Sequence, residues 1–66
     1  SHKEFIQFLF ISKSSAAEVQ SQLYVALDQG YITQSDFDLV YEQAEIVSKM
    51  VSSFISYLNS QLNKPK

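Results

Sequence analysis

Apolar and small residues follow two heptad stripes along the chain, separated by one short polar segment. The spacing in the first stripe alternates between four and three residues, as on one face of an α-helix. Its members are Phe5, Leu9, Ser12, Ala16, Val19, Leu23 and Ala26. The second stripe alternates three and four, through Phe37, Val40, Ala44, Val47, Val51, Phe54 and Leu58. The pattern predicts two helices, at about residues 3–29 and 34–62.

The segment between the stripes predicts a tight turn at residues 30–33. Gly30 can adopt the left-handed conformation that ends a helix, and Thr33 can cap the next one. Asp36 stands at the third helical position, where a capping box usually has Glu or Gln. A connection this short forces antiparallel neighbours, so we expect one helical hairpin over residues 1–66, with a loose tail at 63–66.

The two stripes also predict how the helices pair. In an antiparallel hairpin the numbers of facing residues add up to a constant, and the two stripes give 63 throughout. Leu23 then faces Val40, and Ala16 faces Val47. Small residues mostly meet larger ones, as interdigitated packing requires. We therefore expect the two stripes to form the seam of the hairpin.

The chain carries more apolar residues than one seam can hide. Apolar side chains surround the start of the first helix, and the second helix has further apolar stripes; a helix that is apolar on all sides is buried on all sides. The positions predicted to contact partner helices are Ile6, Phe8, Phe10, Ile11, Leu39, Ile46, Met50 and Tyr57. Small residues at 12 and 14–17 would let another helix approach closely. We therefore expect self-association or packing against another protein.

Composition supports this expectation. A chain of 66 residues buries only about 60% of the surface that its unfolded form exposes, so it usually needs an additional source of stability. The absence of cysteine excludes disulfides and thiolate zinc sites, which leaves oligomerisation. With one glycine and one proline, the chain has few residues that favour the turns between β-strands, so its composition favours long helices. No apolar run has the length of a membrane span and no secretory leader pattern opens the chain, so we expect a cytoplasmic protein with no membrane contact.

Candidate catalytic groups do not assemble into a recognisable site. The single histidine, His2, has no fixed neighbour that would orient it against a serine. Asp38, Glu42 and Glu45 line one side of the second helix and, with Glu18, resemble a bundle metal site, but the Glu-x-x-His pairs of di-iron bundles are missing. A solvated acidic face explains these residues better. The sequence therefore predicts no catalytic residue, no metal and no cofactor.

The charges divide along the chain although the net charge is only −2. Six acidic residues and no lysine lie between Glu18 and Glu45, whereas all five lysines lie outside that range. In a hairpin, the turn end is then negative and the open end positive. Lys3, Lys13 and Lys49 are candidate contacts for an RNA backbone, although a chain without arginine is poorly equipped to read bases.

Several short motifs together resemble one protein family. They are Lys3-Glu4-Phe5, Phe8-Leu9, Ser15-Ala16-Ala17-Glu18, Gln22-Leu23, Ala26, and Gly30-Tyr31-Ile32-Thr33 followed by Phe37. From about Lys3 to Leu58 the chain resembles the C-terminal half of the four-helix-bundle proteins known as ribosomal RNA intervening-sequence proteins. The Gly-Tyr-Ile-Thr turn is the most specific element of the resemblance.

The resemblance implies a fold and two kinds of function. It implies half of an up-down-up-down four-helix bundle, commonly assembled into a ring of five subunits and without enzymatic activity. It implies a scaffold role or, alternatively, an RNA-associated accessory role in a ribosomal RNA intervening-sequence or retroelement context. The family's first two helices have no counterpart in this sequence, so the chain is expected to pair with those N-terminal helices or with a second hairpin.

Overall fold

A computed structural model describes the backbone of residues 2–62 and the side chains of residues 3–62. In this range the chain forms α1 (His2–Asp28) and α2 (Gln34–Leu62), which pack against each other. Phe5 contacts Phe54 near the open end, and Tyr24 contacts Phe37 near the turn, so the helices are antiparallel. The predicted all-α helical hairpin is confirmed. The tail expected at residues 63–66 lies outside the described residues.

The C-terminus of α1 is closed by a Schellman motif. The amide of Gly30 donates to the carbonyl of Leu27 at 3.0 Å, and the amide of Tyr31 donates to the carbonyl of Ala26 at 2.9 Å. Gly30 has a φ of 75°, in the left-handed region that glycine adopts without a Cβ penalty. The left-handed conformation of Gly30 thus lets the carbonyls of Ala26 and Leu27 accept hydrogen bonds, and it ends α1, as the sequence predicted.

The N-terminus of α2 carries a reciprocal capping box. The amide of Asp36 donates to Thr33 Oγ1 at 3.1 Å, and the amide of Thr33 donates to Asp36 Oδ2 at 3.4 Å. Two amide groups that the helix leaves without intrahelical acceptors are satisfied in this way. Asp36 therefore does take the role usually held by Glu or Gln.

Nine of the fourteen predicted seam positions lie in the α1–α2 seam. Leu9, Ser12, Ala16, Leu23 and Ala26 of α1, and Phe37, Ala44, Val51 and Leu58 of α2, are buried or partly buried. The tightest cluster lies near the open end, where Ile6, Ile55 and Leu58 are buried and Leu9 and Val51 pack against them. This cluster and Phe37 form the small apolar core of the hairpin.

The remaining predicted seam positions lie at the rim, which corrects the sequence-based assignment. Phe5, Val19, Val40, Val47 and Phe54 are 40–47% exposed. The seam in α2 runs instead through Phe37, Tyr41, Ala44, Ser48, Val51, Ile55 and Leu58. Tyr41, Ser48 and Ile55 thus occupy the seam positions that the sequence assigned to Val40, Val47 and Phe54. The physical reason is that Val40, Val47 and Phe54 belong to a second apolar stripe, next to the seam.

The hairpin is too thin to cover this second stripe. Its extents are 55 × 17 × 11 Å, and the smallest dimension equals the diameter of one helix with side chains. Only four hydrophobic side chains among the described residues are buried, whereas sixteen large ones are exposed. The exposed set includes Phe8 at 61% and Met50 at 66%. One layer of two helices therefore leaves a large apolar surface in water.

Candidate helix-docking surface

One side of the seam is closed by a polar contact that the sequence did not reveal. Gln20 is partly buried, and its Nε2 donates to Glu45 Oε2 at 2.9 Å and to the carbonyl of Tyr41 at 3.3 Å. Gln20 follows Ala16 by four residues and precedes Leu23 by three, so it occupies a seam position of α1. The pattern of apolar residues predicted Val19 at this level of the seam. The spacing from Ala16 and Leu23 is the sequence signal that indicates Gln20.

An aromatic cluster lies on the same side, nearer the turn. Tyr24 meets Phe37 and Tyr41 edge to face, with ring centroids 4.9 and 5.9 Å apart, and Phe37 stacks on Tyr41 at 5.4 Å. A hydrogen bond to Tyr24, the nearby Tyr24 and Glu45 charges and partial burial raise the pKa of Tyr41 above its ordinary value. These contacts show that Tyr24, Gln20 and Glu45 share one side of the hairpin.

The opposite side of the seam carries an apolar face made of one stripe from each helix. The stripes keep heptad spacing, and the 100° rotation per residue turns them away from the side that holds Tyr24 and Glu45. We define the apolar face by Phe5, Phe8, Ser12, Ser15, Val19, Gln22 and Ala26 of α1 and by Val40, Gln43, Val47, Met50, Phe54 and Tyr57 of α2. The rim residues of the seam thus belong to this face.

The contact between Phe5 and Phe54 joins the two stripes of the apolar face at the open end. The rings of Phe5 and Phe54 meet nearly perpendicularly at 5.7 Å, and those of Phe54 and Tyr57 meet at 6.3 Å. Such edge-to-face pairs are favoured by the charge distribution of aromatic rings. Phe5, Phe54 and Tyr57 nevertheless remain 43–59% exposed. The face is therefore preformed in the hairpin but left uncovered by it.

The residues predicted to contact partner helices fall in three places. Ile6 is buried between the two helices, so it belongs to the hairpin core, which corrects its assignment to a partner surface. Phe8, Met50 and Tyr57 lie on the apolar face, and Leu39 and Ile46 lie at its outer edge by helical position. Ile11 follows Phe8 by three residues, so it also lies at the outer edge of the apolar face, whereas Phe10 is exposed on the other side of α1. The structure therefore brings only part of the predicted set together.

The candidate RNA contacts do not lie on the apolar face. Lys3, Lys13 and Lys49 are exposed. Lys13 precedes Tyr24 by three helical turns and Lys49 follows Glu45 by one, so both lie on the polar side of the seam. Lys3 lies further out on that side, near the open end. Covering the apolar face would leave all three lysines in water.

Two of the acidic residues considered for metal binding accept hydrogen bonds from glutamine side chains. Glu45 accepts from Gln20, and Asp38 Oδ1 accepts from Gln34 Nε2 at 2.8 Å. Among the residues described, no three His, Asp or Glu side chains group into a set that could hold a metal ion. Within the same range, neither helix combines the length and apolar character needed to cross a membrane.

Fold and surface together define a helical hairpin that presents an uncovered apolar face beside its own seam. The family model of the 23S rRNA-intervening sequence protein matches residues 1–53. The chain therefore belongs to the 23S rRNA-intervening sequence protein family, as the motifs around Gly30-Tyr31-Ile32-Thr33 suggested. No curated protein and no solved structure matches the chain.

Proposed function

We propose that this chain is a non-enzymatic assembly module that works by packing its apolar face against further helices. The observation that carries the proposal is the exposure of that face, where Phe8, Met50 and Tyr57 are each about 60% exposed or more. Burying a large apolar side chain fully contributes roughly 1.5 to 3 kcal/mol. Several such side chains on one face supply enough free energy to hold another pair of helices.

The spacing of the face also supports helical partners over a small ligand. Each stripe alternates steps of three and four residues, which is the periodicity that two packed helices share. The small residues Ser12 and Ser15 lie midway along α1 and let a neighbouring backbone come close. The natural partners are a second hairpin, or the two N-terminal helices that complete the bundle in relatives of this family.

The proposal is tested by placing one charge on each side of the hairpin. Met50→Lys puts an ammonium on the apolar face, whereas Ser56→Lys puts the same group on the polar side of α2. Both positions are exposed in a single hairpin, so both changes should cost that hairpin little. If the face is packed in the assembly, Met50→Lys should weaken assembly by at least about a hundredfold, because an unpaired charge becomes buried.

Sedimentation and the concentration dependence of thermal unfolding provide the readout. Assembly makes the unfolding temperature rise with protein concentration, and Met50→Lys should abolish that dependence while Ser56→Lys retains it. If the two variants behaved equally, the apolar face would not be the surface that packs in the assembly.

A second candidate, an RNA-associated accessory role, is favoured by the position of the lysines. Because Lys3, Lys13 and Lys49 lie off the apolar face, an assembly built through that face presents them repeatedly on its outside. Neutralising phosphates releases counterions, so such binding should weaken steeply with salt. The test is RNA binding across a salt series with Lys3, Lys13 and Lys49 replaced by glutamine. Unchanged salt dependence in the variant would eliminate this candidate.

A further inference from the structure

Phe10 is a large apolar side chain that belongs neither to the seam nor to the apolar face. Tyr24 follows it by two heptads, so both residues lie on the polar side of the seam. The ring of Tyr24 contacts two rings of α2. Two heptads further along α2, the residues in those places are Val51 and Ile55, which are aliphatic. The ring of Phe10 therefore stays 51% exposed and is available to stack on another planar group.

Lys13 lies one turn after Phe10, in the place that Gln20 holds one heptad later. Gln20 donates a hydrogen bond to Glu45 across the seam. One heptad after Glu45, α2 carries Ser52, so Lys13 faces a hydroxyl where Gln20 faces a carboxylate. Among the residues that the structure describes, Lys13 makes no ion pair. Its ammonium therefore attracts an anion from outside the hairpin.

Lys49 and two hydroxyl groups extend this positive surface across the seam. The one-heptad shift that relates Ser52 to the partner of Gln20 also replaces Tyr41 by Ser48. Ser48 and Ser52 are both partly buried at the level of Lys13, and Lys49 is exposed next to Ser48. Two ammonium groups and two hydroxyl groups thus lie at one level of the hairpin, on the polar side of the seam.

Acidic residues near the lysines limit the positive surface to the middle of the hairpin. Glu45 lies one turn before Lys49, but its Oε2 accepts the hydrogen bond from Gln20. Lys3 lies on the same side near the open end, where the adjacent Glu4 offsets its charge. The argument for an anionic ligand therefore rests on the two lysines in the middle of the hairpin.

An exposed ring one turn away from an ammonium matches the chemistry of a single-stranded nucleotide. Phe10 and Lys13 are ~4.5 Å apart along the helix axis, so one nucleotide can reach both with its base and its phosphate. Aromatic side chains in a positively charged surface are the usual means of binding single strands, because every base has a face that can stack. In a double helix the bases already stack on one another, whereas those of a single strand are free to stack on a ring.

We propose that the polar side of the seam binds single-stranded RNA, with one base stacked on Phe10 and the adjoining phosphate held by Lys13 and Lys49. The hydroxyl groups of Ser48 and Ser52 lie beside this phosphate and can hydrogen-bond to the 2′-hydroxyl of the ribose. The inference rests on the second candidate function and names its contacts. Because these residues lie off the apolar face, the surface stays accessible when that face is covered.

Fluorescence anisotropy of a labelled oligouridylate of about ten nucleotides, measured across a salt series, tests this proposal. Phe10→Ala should weaken binding by at least about fivefold, because it removes the stacking platform. It should leave the slope of log K against log salt unchanged, since stacking releases no counterion. Lys13→Gln and Lys49→Gln should each make that slope shallower by about 0.7, the value for one phosphate contact on a single strand.

Two matched variants control for ring loss and for charge. Tyr31→Ala removes a 78% exposed ring from the turn, away from the lysines. Gln29→Glu changes the net charge by the same amount as Lys13→Gln, also in the turn. Both variants should bind RNA as the natural chain does. Circular dichroism and sedimentation of Phe10→Ala verify that its helicity and its assembly are unchanged.

The outcomes separate this inference from the candidate function on which it rests. If Phe10→Ala bound as tightly as the natural chain while the lysine variants bound more weakly, the stacking contact would be wrong and the RNA-associated role would stand. No binding by the natural chain at low salt would overturn both. Equal binding of the matching deoxyribo-oligonucleotide would overturn RNA as the ligand, because the 2′-hydroxyl would then make no contact.

Discussion

Gln20 and Glu45 join the two helices through a 2.9 Å hydrogen bond from Nε2 to Oε2, one turn of α2 beyond the carbonyl of Tyr41 that Gln20 also contacts. Both side chains are partly buried at the edge of the seam. This polar pair favours the observed register, because sliding one helix by a heptad would break its hydrogen bond.

This contact predicts a measurable coupling between the two residues. In a double-mutant cycle of Gln20→Ala and Glu45→Ala, we expect an interaction free energy of about 0.5 to 1.5 kcal/mol in chemical denaturation at fixed protein concentration. The pair Gln20→Ala with Glu42→Ala is the control, since Glu42 lies on the exposed outside of α2. Strict additivity in the first cycle would mean that the hydrogen bond does not contribute to folding.

Tyr41 predicts a loss of stability at alkaline pH. Its pKa in the folded chain is raised above the ordinary value of about 10, first by the hydrogen bond to Tyr24. The folded state therefore holds this proton more tightly than the unfolded state. The resulting stabilisation is fully present below pH of about 10 and is lost as the pH rises through the folded pKa.

Tyr24→Phe should lower the pKa of Tyr41, because it removes the hydrogen bond and the nearby charge. Phenolate absorbance during an alkaline titration measures the change. Tyr31→Phe removes a 78% exposed tyrosine in the turn and should leave the titration of Tyr41 in place. If Tyr24→Phe and Tyr31→Phe gave the same curve, the Tyr24–Tyr41 contact would not set this pKa.

Replacing Gly30 should lower the free energy of unfolding through the backbone conformation and not through a steric clash. A Cβ at this position meets nothing within 4 Å, so the cost of Gly30→Ala comes from its positive φ. We expect a loss of roughly 1 kcal/mol in the free energy of unfolding. Gly30→Asn should recover part of it, because asparagine tolerates the left-handed region. Equal stability of the alanine variant and the natural chain would contradict the Schellman geometry of the turn.

Phe8 and Phe10 form a matched pair that tests which side of α1 is covered. They are 61% and 51% exposed in the hairpin, and the two-residue step places them on opposite sides of the helix. Phe8→Lys should lower the affinity of self-association by at least about tenfold, whereas Phe10→Lys should change it by less than about threefold. Sedimentation velocity across a dilution series measures both. The reverse ranking would move the interface to the side of α1 that carries Phe10.

The hairpin and its turn could be predicted from the sequence because their signals are local. Gly30, Thr33 and Asp36 act through backbone contacts within a few residues, and the structure reproduces each of these roles. The antiparallel order followed from the short connection alone. No contact between residues far apart in the sequence was needed to predict these elements.

The choice between two adjacent apolar stripes could not be made in the same way. Val40 and Tyr41, or Phe54 and Ile55, are neighbours with similar hydrophobicity, and periodicity does not say which of them faces the other helix. Packing of the whole hairpin decides it, with Gln20 contributing a hydrogen bond that an apolar pattern omits. The partner surface was overestimated for a related reason, since Ile6 fills the core at the open end.

The central claim is that the apolar face is covered by other helices, and the most direct test is sedimentation equilibrium of the natural chain at micromolar concentration, combined with thermal unfolding at several concentrations. We expect a mass above that of one 7.5 kDa chain and an unfolding temperature that rises with concentration. A helical monomer with a cooperative, concentration-independent transition would contradict the claim, because its apolar face would then be stable in water.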